Sequence, residues 1–302
     1  MTHDNYAVSI VAALVAGGCL AATGVLQQKE ASKQPEDESL SPHLMLRLVK
    51  DRTWLVGMLF GVLSYAFQGV ALAFGPLAVV QPVVLSELIF AVPISVRRHK
   101  MRMGPREWAG VWSVAGGLAV GIVSSSPHAG NPLPGLVKWG IAIGVVALLT
   151  GLTLLAGRQV GGPVRASLFA FGAATVLALQ SAFLAATTAV MREGIVSLFT
   201  HWEPYALVPA TAVGILLMQS AYQAGPLAAS MPVVDAAEPS VAIALGIALF
   251  GEQVATGTWN LLGTGVGLAG FFVGIVLLDT SPLVRRMQKQ ERAGREETAD
   301  VG

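Results

Sequence analysis

The stretch PVVDAAEPS, residues 232–240, places two carboxylates, Asp235 and Glu238, and two prolines, Pro232 and Pro239, in otherwise apolar surroundings. The acids are three positions apart, so a helix would carry both on one face. A third acid, Glu87, stands in the apolar run 76–96. Carboxylates of this kind suit general acid–base catalysis, proton carriage or ligation of a hard cation. Catalysis needs partners that the sequence does not supply. There is no G-x-S-x-G, H-E-x-x-H or P-loop, and no paired Cys/His set. His3, His43, His99, His128 and His201 all fall in polar segments, and Cys19 is the one cysteine, read as a small core residue. The expectation is a protein that is not an enzyme and uses no cofactor. For the acids it is a choice between a carboxyl that gains and loses a proton and a metal pair formed by Asp235 and Glu238.

The elements that would hold these acids are membrane spans. Of the 302 residues 54% are hydrophobic and only 12% charged, with mean hydropathy +0.64, about half the charge of a soluble domain. Runs near 6–26, 53–73, 76–96, 107–124, 136–156, 163–190, 203–222, 226–250 and 257–278 are each apolar and close to the length of a spanning helix. The predicted fold is therefore an all-α polytopic membrane protein of about nine transmembrane helices. Residues 27–52 form a polar loop with a short amphipathic turn at 42–50, and 283–302 form a charged tail read as disordered. With the N-terminus outside and the C-terminus inside, the cytoplasmic segments receive all Lys and Arg except Lys138 and Arg192, which gives 17 of 19 on the inside. The predicted location is the cytoplasmic membrane, with the lipid bilayer as partner and no nucleic acid. MTHDNY lacks a basic n-region, so the first apolar run is expected to remain as a span. The six tryptophans lie near predicted helix ends, as an interfacial belt would.

Two segments read alike. GPLAVVQPVV begins at Gly75 and GPLAASMPVV at Gly225, with seven of ten positions identical; GLAVGIV at 117–123 matches GFFVGIV at 270–276. Five predicted spans separate the copies, and an odd shift reverses direction, so the repeat is inverted. That pattern belongs to secondary transporters, whose sites sit near the midplane on interrupted helices. The halves are residues 1–125 and 136–280. Pro82 would interrupt the first helix of its pair, and Pro232 and Pro239 the second, freeing the carbonyls of Ala228 and Asp235. At ~1.5 Å per residue, Glu87, Asp235 and Glu238 fall roughly 14–18 Å deep in a core about 30 Å thick, where an ionisable group is read as functional. Gln68, Gln81 and Gln219, with Gln180 and Gln223, add neutral donors and acceptors for a polar path. Tyr65 and Tyr222 are expected near the same cavity. The pairs Gly57/Gly61, Gly117/Gly121, Gly140/Gly144 and Gly270/Gly274 allow close helix contact. Such faces suit a homodimer as well as internal packing.

The repeat, ALFGE at 248–252 and the Gly-rich helix 261–278 resemble the drug/metabolite transporter superfamily, including its EamA-like members. The resemblance implies alternating-access transport of a small solute. Superfamily members commonly have ten helices, and nine are read here. The nine-helix layout, GVLQQKEA at 24–31, ALAFGPLAVVQPV at 71–83 and QSAY at 219–222 are similar to the NIPA-type magnesium transporter family. That likeness implies Mg²⁺ as substrate. The chain departs from that family where Ser64, Tyr65 and Gln68 replace its Gly-Glu…Asn pattern. A reading of another class, a membrane scaffold without transport, accounts for the basic loops but not for the midplane acids.

Overall fold

The computed structural model describes residues 5–31, 51–98, 102–125, 128, 130–224 and 227–282. The expected turn at 42–50 and the tail 283–302 lie outside the described residues. Helices α1 (Tyr6–Ala31), α2 (Arg52–Phe74), α3 (Leu77–Val84), α4 (Glu87–Arg98), α5 (Pro105–Ser125) and α6 (Leu136–Arg158) are followed by α7 (Gly162–Glu193), the short α8 (Ser197–Thr200), α9 (Glu203–Ala224), α10 (Leu227–Leu245), a π-turn (Gly246–Phe250) and α11 (Thr258–Asp279). Among the described residues there is no strand, only an isolated bridge between His128 and Gln253. The protein is an all-α, multi-pass membrane protein: among the described residues seven helices are long and apolar enough to cross a membrane.

Local chemistry sets the helix starts. Asp51 caps α2 by accepting from the Trp54 amide at 2.9 Å. Before α5, Glu107 accepts from the Gly104 amide at 2.8 Å, and Pro105 supplies a preset φ at the first helical position. The run expected at 76–96 is two short helices. Pro82 has no amide, and the ladder slips to three-residue spacing where Ser86 bonds Val83 and Ile89 bonds Ser86. The run at 226–250 differs from expectation: α10 passes unbroken through Pro232 and Pro239 and changes form only at the π-turn. Its tolerance has a physical basis, because helices packed around a span can re-satisfy carbonyls that proline deprives of a donor.

The 32-residue α7 runs through the centre of the bundle. Its Ala170, Ala174, Ala178, Ala182 and Ala186 recur every fourth residue and are fully buried. Small side chains on one stripe let neighbouring helices approach closely, and α7 packs against α2, α6, α9 and α10. Several pairings occur at corresponding places of the two similar segments: α1 with α2 and α7 with α9, α1 with α4 and α7 with α10. The pair α5–α11 maps onto itself. Its glycines touch backbone to backbone: a Cβ on Gly117 would strike Phe271, and one on Gly274 would meet the Val114 amide at 2.6 Å. Gly140 and Gly144 instead face open space.

The expected belt of tryptophans holds in part. Trp108, Trp112 and Trp259 are exposed, whereas Trp54 and Trp139 are buried. Trp139 stacks on Phe183 at 4.6 Å and meets Trp202 and Phe250 edge-on. Aromatic quadrupoles favour these geometries, so the cluster closes one end of the bundle between α6, α7 and the π-turn.

Candidate functional site

Helix α3 packs against α10, and acids from both halves of the chain interact electrostatically beside the break that follows α3. Glu87 is the first residue of α4, where the partial positive charge of a helix N-terminus favours an anion. Glu238, on α10, lies within electrostatic reach of Glu87, and Tyr65 of α2 lies within reach of Glu238. Both glutamates are half-buried, and Asp235, one turn earlier on α10, is buried. The described Lys and Arg residues stand in loops or near helix ends, so none shares the turns that carry these acids. Among the described residues no three His, Cys, Asp or Glu side chains form a metal-holding group.

Helix α1 presses on the break. A Cβ on Gly17 would lie 2.6 Å from the Val84 carbonyl and 3.2 Å from the Glu87 amide. This close approach of backbones is what glycine permits at that position. Two polar groups beside the break are buried without a hydrogen-bond partner among the described residues, Nε2 of Gln81 and Oγ of Ser86. Native proteins seldom leave such groups unpaired, and one that does so carries a role for them. Gln68 is buried and donates to the Ser181 hydroxyl of α7 at 3.4 Å. Gln180 is buried on the same helix.

Pro82 and Pro239 are both buried. The side chains of Gln219, Pro232, Tyr222 and Gln223 lie outside those described, although their backbones belong to α9 and α10. A shallow, open apolar depression runs along α1, lined by Leu14, Val15, Gly18 and Cys19 of α1, Phe60 of α2 and Phe90 of α4. Cys19, expected in the core, is half-buried on this face. Of the histidines, His128 is exposed, and His201 stands 3.8 Å from Glu193 and 3.5 Å from Glu203, away from the break.

One residue escaped the reading of the sequence. Glu252, in the loop after the π-turn, is buried and reaches across to the start of α3. Its Oε1 accepts from the Leu77 amide at 2.6 Å and its Oε2 from the Ala78 amide at 2.9 Å. Burial pushes its carboxyl up from the ordinary range, and the two amides pull it partly back. Hydrogen bonds to a charged group contribute about 1.5–3 kcal/mol each. The signal was present in ALFGE, but nothing in the spacing named its partner 174 residues away.

No family model matches the chain, and no solved structure does. Among curated proteins it is 31% identical over 281 residues to "Uncharacterized protein Cgl0250/cg0304" of Corynebacterium glutamicum, covering 89% of this chain and 94% of that one.

Proposed function

The chain belongs to the family of the Corynebacterium glutamicum protein Cgl0250/cg0304, and we propose that it is a transporter of the drug/metabolite type, EamA-like, working by alternating access. Nine crossings result when α3 with α4 and the shorter apolar α9 are added to the seven long helices. The orientation is N-out and C-in, in the cytoplasmic membrane. One observation carries the reading: Glu87 of one half and Glu238 of the other lie within electrostatic reach of each other where α4 begins. Two carboxyls within reach of each other near the midplane, with no Lys or Arg on their turns, suit the binding and release of a mobile cation. A proton is the simplest one. Binding it would let the halves close over the site, and releasing it on the other side would drive them apart. Gln81 and Ser86 offer donors to a small solute at the same break.

Transport of Mg²⁺ itself is the second reading, favoured by Asp235 and Glu238 on successive turns of α10. Magnesium keeps most of its waters and is often held by one or two carboxylates, so it needs no cage of three. Thermal unfolding of the purified protein separates the two. Under the proton reading, millimolar Mg²⁺ leaves Tm unchanged in the native protein and in Asp235→Asn. A rise in Tm with Mg²⁺ that Asp235→Asn abolishes would replace the proton with the metal.

A further inference from the structure

The loop that delivers Glu252 is built for that one contact. The π-turn ends on Gly251 at φ 70°, a left-handed conformation that suits glycine, and this folds the chain back. The Glu252 amide then bonds the Gly246 carbonyl at 3.0 Å. Gly246 has no space for a side chain, because a Cβ there would collide with the Glu252 carboxylate. The opposite wall is fixed as well. Gln253 bridges His128, and the Asn131 amide donates to the Phe250 carbonyl at 2.8 Å. The carboxylate thus ties the start of α3, in the first half, to the end of the π-turn, in the second. The closed aromatic cluster of Trp139, Phe183, Trp202 and Phe250 lies at the same end. Helix α3 is also the arm that carries Gln81 and Pro82 to the site.

We propose that Glu252 is a positioning residue that latches this end of the bundle shut, and that release of its bonds to the Leu77 and Ala78 amides lets α3 swing and opens the mouth on the outer side. π-turns within helices recur at functional sites, and this one places the latch. A fixed structural tie would hold the two halves in one arrangement, whereas alternating access needs a contact between them that breaks. The proposal rests on the transport reading for its purpose, but its test does not use transport.

In a Cys19→Ser background, Val80→Cys on α3 reports this mouth, and Val114→Cys on the α5–α11 face reports general loosening; both sites are fully buried. A membrane-impermeant maleimide is applied to right-side-out and inverted vesicles. With Glu252 intact neither cysteine reacts. Glu252→Gln keeps one accepting oxygen but sets an NH₂ donor against the other backbone amide, and Gly246→Ala evicts the carboxylate by bulk, so two different chemistries weaken the latch. Each is expected to raise Val80→Cys labelling roughly tenfold, about the shift that 1.4 kcal/mol brings, from the outside only and with Val114→Cys still unreactive. Unchanged labelling in both variants, in protein that remains folded by gel filtration, overturns the latch. So does labelling of both reporters together, which marks a purely structural tie, or labelling from the inside. If the latch opens as expected and no proton flux is found, the latch stands and the transport reading falls. If flux depends on Glu87 and labelling ignores Glu252, the reverse holds.

Discussion

At the scale of single residues, the sequence located Glu87, Asp235 and Glu238, because an acid in an apolar run is visible without any alignment. It left unread which of them meet. Asp235 and Glu238 invited pairing by their spacing, whereas the electrostatic link of Glu238 to Glu87, from the other half of the chain, is not legible in spacing. Glu252 went unread for the opposite reason: an acid in a loop looks solvated, and only the fold shows it buried against α3. Acids held close for function are usually kept at a cost to stability. Glu87→Gln and Glu238→Gln should therefore each raise Tm in detergent, by the equivalent of roughly 0.5–2 kcal/mol, while abolishing activity. A fall in Tm for both would show that they serve the bundle as structural hydrogen-bonding groups.

At the scale of elements, proline was a poor guide to where helices stop. Pro82 precedes a real break because Ser86 and Ile89 adopt shorter hydrogen-bond spacing there and α1 presses in at Gly17. Pro239 lies inside an unbroken α10, since tertiary packing, not local propensity, decides the outcome in a bundle. Glycine pairs divided in the same way. Spacing alone treated Gly117/Gly121 and Gly140/Gly144 alike, but only the first pair meets a neighbouring backbone. Gly117→Ala should therefore destabilise by roughly 1–3 kcal/mol through overpacking. Gly140→Ala should be neutral or stabilise by about 0.5–1 kcal/mol through helix propensity. Equal effects in thermal unfolding would remove the distinction between the α5–α11 face and the open face of α6.

At the scale of the whole molecule, composition disclosed the class, and the duplicated segments suggest the plan. The pairing of α1–α2 with α7–α9, and the self-matching α5–α11 contact, follow that plan. Direction in the membrane rests on the placement of Lys and Arg, and it can be read directly. In the Cys19→Ser background, a cysteine in place of the exposed His128 should react with an impermeant maleimide on right-side-out vesicles, and one at position 100 only on inverted vesicles; the reverse pattern would turn the protein over. The central claim is that Glu87 and Glu238 together carry a cation through the break. Its most direct test is proton movement across proteoliposomes holding the native protein, Glu87→Gln or Glu238→Gln, followed with an internal pH dye under an imposed gradient. The account predicts flux in the native protein and none in either variant. Equal flux in all three, with the variants inserted and folded, would contradict it.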